Sequence, residues 1–318
     1  MLSPSLDMSI CIPCYNDPKG LQRTIESIFV QLGDQKYASL QIVIGLNDCA
    51  FGATDILSGQ MLNCGAKLNF FKTDKYLEYD DSIRFVASKV KTEFCAFVGC
   101  GELALAGLSD ALSQFQNAKA DFGVLPVASK LPRSSVTVDI SEPRWNPAVR
   151  GIFNKVLSGH IFRTSSLRLS LKNNRFRAFE WAHVEMALTV QGNSHAVPRV
   201  YSRPVILRSN SGRGWWTKSD IYKQYIEYCD LLLGYRDCYE HLTYVDDELR
   251  KAYSIRLLLM ILQARGNNLH EVPLFFSNWV EKNCNGTVWR CALRIALIMP
   301  AKLANRFMTV ANWYLARR

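Results

Sequence analysis

The sequence predicts an α/β protein: a doubly wound, mostly parallel sheet with a helical C-terminal extension. Three observations carry this reading. In the first half, short apolar runs alternate with amphipathic segments, the signature of strands joined by helical crossovers. Three of those runs end in polar or acidic residues, and open α/β sheets place their ligand sites at strand carboxyl ends. Beyond Trp216 the pattern turns mostly helical.

Each element has its own signal. Met8 to Ile12 reads as a buried strand. Asp17-Pro18 then supplies an N-cap and a first-turn proline, Leu21, Ile25, Ile28, Phe29 and Leu32 follow at helical spacing, and Gly33 marks the stop. Leu40 to Ile44 is the second strand, Asp55 to Leu62 a short helix, and Leu68 to Phe71 the third strand. Ser82 caps a helix running through Phe85, Val86 and Val90. Phe94 to Val98 is the fourth strand, Leu105 to Phe115 a helix, and Phe122 to Val127 the fifth strand. Ala128 to Arg150 reads as irregular, Phe176 to Val190 as helix, and Ala196 to Leu207 as extended. The expected organisation is one domain over 1–215 and a helical region over 216–318.

Composition bounds the possibilities. The 318 residues are 48% hydrophobic and 21% charged, so a sizeable core is expected rather than disorder. A net charge of +10 suits phosphorylated ligands, nucleic acid or anionic membranes, without choosing among them. Ten cysteines occur, several inside apolar runs such as Ser9-Ile10-Cys11-Ile12 and Phe94-Cys95-Ala96-Phe97, where free cysteine behaves as a small hydrophobe. Cys11-Ile12-Pro13-Cys14 is a Cys-x-x-Cys, but no second pair with zinc-finger spacing follows. No export signal precedes Met8 and no apolar run approaches the roughly 20 residues a bilayer span needs. A cytoplasmic protein is expected.

Three strand ends carry polar groups: Ile12-Pro13-Cys14-Tyr15-Asn16-Asp17, Ile44-Gly45-Leu46-Asn47-Asp48, and Phe97-Val98-Gly99-Cys100-Gly101-Glu102. Singly, each is an everyday turn. In this order they resemble the GT-A glycosyltransferases of family 2, over roughly residues 8–215. The opening Pro13-Cys14-Tyr15-Asn16 and the following Thr24-Ile25-Glu26-Ser27-Ile28 match the family's first strand and helix. Asn47-Asp48 through Thr54 stands where the family has an acidic pair and a small-residue loop. Glu93 to Leu103 stands where it has a strand ending in a metal-binding Asp-x-Asp. The subgroup most similar is the abequosyltransferase-like branch, which assembles O-antigen and other bacterial surface polysaccharides.

That resemblance implies a nucleoside-diphosphate-sugar donor bound by Pro13, Tyr15, Asn16, Asn47, Asp48, Asp81, Cys100, Gly101, Arg208 and Arg213. It implies a glycan or lipid-linked glycan as acceptor, a hexosyl or deoxyhexosyl group as cargo, and an inverting outcome. Two positions depart from the family pattern. Asn47 replaces an aspartate, although an amide still bonds a nucleobase. The Asp-x-Asp reads Cys100-Gly101-Glu102, leaving Glu102 as the one carboxylate for Mg2+ or Mn2+. A single glutamate with a diphosphate holds such an ion, basic side chains do the neutralising without it, or Glu102 serves the next helix dipole. The general base implied by the family falls on Phe179-Glu180-Trp181-Ala182-His183-Val184-Glu185, where Glu180 and His183 share a helix face; the plainer reading is a solvated glutamate and a structural histidine. Arg208 to Trp215, with two guanidiniums and two glycines, is either a phosphate-closing loop or a polar surface loop.

The tail from Val288 carries Arg290, Arg294, Lys302, Arg306, Arg317 and Arg318 with no acidic residue. Leu303, Phe307, Val310 and Tyr314 recur at helical spacing, flanked by Trp289 and Trp313. That pattern suits an anionic membrane surface, peripheral at the inner face of the cytoplasmic membrane, or packing on the chain's own domain. The competing function is a non-catalytic relative that binds a nucleotide sugar or scaffolds a synthesis complex. No nucleic acid is expected as partner, since no zinc finger or RNA-binding signature accompanies the charge.

Overall fold

The structure, a computed structural model, describes residues 6–32, 40–52, 55–56, 67–128, 157–172, 181–194, 199–201, 204–208, 220–239, 241–242, 245–246, 248–249, 257–266 and 287–316. The chain divides into two units, Met1–Gly212 and Arg213–Arg318.

In the first unit, β1 (Met8–Tyr15), β2 (Gln41–Asn47), β3 (Lys67–Lys72) and β4 (Phe94–Phe97) run parallel. They belong to a seven-stranded sheet ordered β3-β2-β1-β4-β8-β6-β9, completed by β6 (Phe122–Val124), β8 (His160–Arg163) and β9 (Arg199–Val200). Only β8 is reversed: it pairs antiparallel with both β4 and β6, while β9 pairs parallel with β6. β1 is buried on both faces, as a central parallel strand must be. A smaller sheet, β5-β10-β7, joins β5 (Leu103–Ala104), β7 (Val127–Ala128) and β10 (Ile206–Leu207).

Helices cover both faces. Asp17 caps α1 (Pro18–Leu32), its Oδ1 accepting the Gly20 N–H at 2.9 Å. Leu21, Ile25 and Ile28 of α1 bury against Ile10, Ile12, Ile42 and Ile44, together with Leu108 and Leu112 of α3 (Leu108–Asn117). On the other face lie α2 (Tyr79–Ser88), α4 (Thr164–Lys172) and α5 (Ala182–Ser194), in mutual contact. α2 sits so close to β2 that a Cβ on Gly45 would meet Val86 Cγ2 at 2.2 Å, which explains the glycine in that strand.

Several expected boundaries move. α2 begins at Tyr79, with Glu78 at its N-cap position and no side-chain cap bond; Ser82 lies inside it, its N–H bonded to the Glu78 carbonyl. The acidic Asp80 and Asp81 in the first turn favour the earlier start. The expected fifth strand is two, β6 and β7, interrupted at Leu125-Pro126, and they join different sheets. The expected extended stretch likewise splits into β9 and β10. α3 starts three residues later than its apolar pattern suggested, because Leu103 and Ala104 pair with β10. The short helix expected at Asp55 to Leu62 falls largely outside the described residues.

The second unit holds α6 (Asp220–Cys238), α7 (Leu257–Gly266), α8 (Thr287–Ile298) and α9 (Ala301–Ala316). α7 contacts both α8 and α9. Arg265 donates to the Met299 carbonyl and Asn305 to the Gly266 carbonyl, fastening the α8–α9 turn to α7. Leu293, Ala296 and Ala304 are buried, while Ile295, Ile298, Leu303 and Phe307 stand exposed beside exposed Arg294, Lys302 and Arg306. No helix among the described residues is long and apolar enough to cross a membrane.

Candidate functional site

Successive strands run outward from β1 through β2 to β3, whereas β4 lies on the other side of β1. The strand order therefore reverses between β1 and β4, and the crevice beyond their carboxyl ends is where such sheets bind ligands. Tyr15 ends β1 there and Asn16 and Asp17 follow it, Asp48 and Cys49 follow β2, and Gly99 to Glu102 follow β4.

The turn after β1 is tightly specified. Asn16 has a left-handed φ of 43°, a conformation asparagine tolerates, and its N–H donates to Cys49 Sγ at 3.2 Å. Asp48, at φ 48°, makes the matching turn after β2 and is exposed. The Tyr15 ring is 38% exposed and meets Tyr76, 44% exposed, edge-to-face at 5.5 Å. Tyr76 lies in the β3–α2 loop and gave no sequence signal as part of a site.

Asn47 fixes that loop. Its Nδ2 donates to the Leu77 carbonyl at 2.7 Å and its Oδ1 accepts the Leu77 N–H at 2.8 Å, with the side chain buried. In this structure its amide is therefore committed to backbone, and it acts on the crevice by holding the loop that presents Tyr76.

The loop after β4 is latched by α1. Thr24 Oγ1 accepts the Gly101 N–H at 2.9 Å and lies 2.8 Å from the Glu102 carbonyl. Ser27 Oγ accepts the Ala104 N–H at 2.9 Å. Gly101 has φ 87°, open to glycine and strained for other residues. These two hydroxyls were legible only as a helix segment; that they share the buried face, three residues apart, was the available clue.

Glu102 turns inward and is only 8% exposed. Burial pushes its carboxyl above the usual carboxylate range, against hydrogen bonds with Ser158 and the Gly99 backbone and the charge of Arg208. One of its oxygens, Oε2, is buried with no hydrogen-bond partner. Arg208 itself is exposed, its N–H bonded to the Ala128 carbonyl. Cys100 directs its thiol to Cys14 Sγ at 3.3 Å and to the Asp17 carbonyl at 3.6 Å.

Mg2+ and Mn2+ take oxygen ligands. This loop offers one buried carboxyl already engaged with Ser158, beside a thiol. Among the described residues no group of three His, Cys, Asp or Glu side chains is placed to hold a metal ion. The described residues thus do not by themselves fit a divalent cation.

The remaining candidates lie elsewhere. His183 is buried, stacked on Trp181 with centroids 6.0 Å apart and edge-on to buried His160 at 5.2 Å. Glu185 is buried and bonds Arg84 at 2.7 Å. Asp80 accepts the Ala182 N–H at 3.0 Å, capping α5 from a neighbouring helix. Asp81 is exposed, 3.6 Å from Arg84. Pro13 lies within the run paired with β2, opposite Gly45, and that run continues to Tyr15 opposite Asn47. Glu180 and Arg213 lie outside the described residues.

No protein-family model and no curated protein matches the sequence. Among solved structures the chain is similar to S. aureus TarS 1-349, with TM-score 0.56 and 15% identity over 98% of this chain and 92% of that one. The same protein in complex with UDP-GlcNAc gives TM-score 0.57 and 14% identity over the same shares. The mannosyltransferase PcManGT from Pyrobaculum calidifontis, in complex with GDP-Man and Mn2+, gives TM-score 0.51 and 10% identity over 93% of this chain and 86% of that one. At such identities the likeness speaks for the fold. With its strand order reversing between β1 and β4, the chain has the mostly parallel α/β fold of GT-A-like type.

Proposed function

We propose that the chain is a glycosyltransferase that moves a hexosyl or deoxyhexosyl group from a nucleoside-diphosphate sugar to a hydroxyl of a growing bacterial surface glycan, with inversion. The observation that carries this is the convergence of Tyr15, Asn16, Asp48 and the Gly99–Glu102 loop at the strand-order reversal of a GT-A-like sheet. Tyr15 and Tyr76 offer aromatic surface for the base, a contact worth about 1–3 kcal/mol where aromatic side chains stack on nucleobases. The left-handed turns at Asn16 and Asp48 shape the backbone beneath the nucleotide.

In this mechanism the acceptor oxygen attacks the anomeric carbon, a base takes its proton, and the nucleoside diphosphate departs. Arg208, and Arg213 in the same segment, neutralise the charge that develops on the leaving group. Of the candidate bases, His183 is enclosed by Trp181 and His160, and Glu185 is engaged by Arg84. Glu180 is therefore the residue we propose for taking the proton.

The acceptor is read as lipid-linked, and the second unit supports docking near it. Ile295 and Ile298 on α8, and Leu303 and Phe307 on α9, are exposed next to Arg294, Lys302 and Arg306, with no acidic side chain between residues 287 and 316. Apolar side chains ringed by cations suit an anionic lipid surface. Co-sedimentation with phosphatidylglycerol vesicles, absent with phosphatidylcholine and lost on Arg294→Glu with Arg306→Glu, is the expected result; equal recovery with both lipids would end that part of the reading.

Thermal stabilisation by UDP, GDP, CDP and dTDP, each with and without Mg2+ or Mn2+, tests the donor site. A ligand bound only by the folded state raises the melting temperature by mass action. One nucleotide is expected to do so without needing the metal. No shift from any of them, with the protein folded, would remove the donor site. A shift with no turnover of any sugar nucleotide would favour a nucleotide-sugar-binding scaffold, the second reading, which the buried Glu102 and the thiol at Cys100 support.

A further inference from the structure

Cys11 and Cys14 form the Cys-x-x-Cys of the sequence, yet they do not form a pair in the fold. Alternate residues of a strand point to opposite faces, so residues three apart diverge. Cys14 belongs to the core under α1, whereas Cys11 interacts with Cys95. The real partner of Cys14 comes from the next strand. β1 and β4 are paired from Met8↔Phe94 to Cys11↔Phe97, and three residues further that register brings Cys14 level with Cys100.

Their sulfurs are 3.3 Å apart, and both thiols also approach the Asp17 carbonyl, at 3.8 and 3.6 Å. Cys49 stands behind them, its thiol donating to the Cys14 carbonyl at 3.6 Å and the Asn47 carbonyl at 3.4 Å. Cys14 and Cys49 are buried, whereas Cys100 is partly exposed at the strand-order reversal.

We propose that Cys14 and Cys100 are an oxidisable dithiol, a covalent modification site at the carboxyl ends of β1 and β4 that takes low-molecular-weight disulfides. The exposed partner reacts first. The Cys100 thiolate attacks one sulfur of the disulfide RSSR, the S–S bond breaks, and RS⁻ leaves with a mixed disulfide on Cys100. Cys14 then gives its proton to solvent and attacks the Cys100 sulfur, expelling the second RS⁻. Two protein thiols are oxidised to one disulfide, and RSSR is reduced to two RSH. The order follows from exposure, since a reagent in solvent reaches the partly exposed Cys100 before the buried Cys14.

The consequence rests on the donor-site reading. A disulfide holds its sulfurs about 2.0 Å apart, closer than the thiol contact, so bonding draws the Gly99–Glu102 loop onto β1 and the Asp17 turn. That loop carries Gly101 and Glu102, latched by Thr24. The oxidised protein is therefore expected to lose nucleotide binding and to regain it on reduction.

The test uses the full chain and oxidised glutathione, read by intact mass and by peptide mapping without reductant. The expected product carries a Cys14–Cys100 link, is reversed by dithiothreitol, stops as a glutathione adduct on Cys100 in Cys14→Ser, and leaves Cys14 unmodified in Cys100→Ser. The exposed Cys238 and Cys291 serve as internal controls for reagent activity. Glutathionylation of those two with Cys14 and Cys100 both still reduced would overturn the proposal. The melting-temperature shift given by nucleotide separates the two readings. A link that forms while neither redox form responds to nucleotide keeps the dithiol and removes the donor site. A shift that survives oxidation removes the coupling between them.

Discussion

The crevice at the carboxyl ends of β1, β2 and β4 and the helical face around α2 and α5 hold similar residue types with opposite fates. In the crevice, Tyr15, Asp48 and Tyr76 are exposed on loops whose backbone is held by groups beneath: buried Asn47 under the Tyr76 loop, buried Thr24 and half-buried Ser27 under the Gly99–Ala104 loop. On the α2–α5 face, Glu185 is spent on Arg84, Asp80 on the start of α5, and His183 on aromatic packing with Trp181 and His160. Exposure at the strand ends, rather than residue identity, is what distinguishes the crevice residues from those of the α2–α5 face.

The sharpest way to break this contrast is to delete one member on each side. Arg84→Ala takes from the buried Glu185 carboxylate its guanidinium partner at 2.7 Å, and loss of one partner of a buried pair typically costs about 3–5 kcal/mol. Arg84 is 17% exposed at its side chain and solvent recovers part of that, so about 2–4 kcal/mol in urea unfolding is expected. Tyr15→Ala, in the crevice, is expected to stay within about 1 kcal/mol of the parent while weakening nucleotide binding roughly tenfold or more. A Tyr15 variant that unfolds early but binds normally would reverse the assignment of the two regions.

Thr24→Val sharpens the claim that α1 positions the crevice loop. The shapes match, so the change removes the hydroxyl that serves Gly101 N–H and the Glu102 carbonyl. Leaving a buried backbone group unsatisfied costs about 1–3 kcal/mol. A loss of about 1–3 kcal/mol is expected, with a reduced nucleotide shift measured well below the melting temperature. Full nucleotide binding by a destabilised Thr24→Val protein would make the latch purely structural.

The sequence made the sheet's parallel half legible because β1, β2, β3 and β4 are apolar runs and α1 carries its cap, its first-turn proline and its stripe. It did not reveal β8, whose four residues, His160-Ile161-Phe162-Arg163, are too few to show a period and whose pairing with β4 and β6 is purely long-range. Strand-end residues were legible as a group, since topology alone brings strand ends together. Their bonding was not: nothing local says that Asn47 would close on Leu77 or that Cys14 would find Cys100 rather than Cys11. His183 shows the same limit, because its neighbours Trp181 and His160 are known only once the helix is docked on β8.

Glu102 offers the finest test, because its environment sets a sign. Burial raises its pKa above the ordinary value near 4.5, so the folded protein holds that proton more tightly than the unfolded chain. Its contribution to stability is whole below the ordinary value and is lost as pH rises through the folded value. Above that window the parent carries a buried charge that Ser158, the Gly99 backbone and Arg208 offset only in part. Glu102→Gln keeps the shape and an acceptor for Ser158 and does not titrate. The difference in melting temperature, variant minus parent, is therefore expected to sit near zero around pH 4.5 and to climb toward neutral pH. A difference that falls with pH would mean the anion is the favoured form in the fold, held by Arg208 and Ser158 more strongly than burial penalises it. That outcome would put a charged carboxylate at Glu102, the position where the sequence resemblance expects a metal-binding acid, and with it a ligand for a divalent cation.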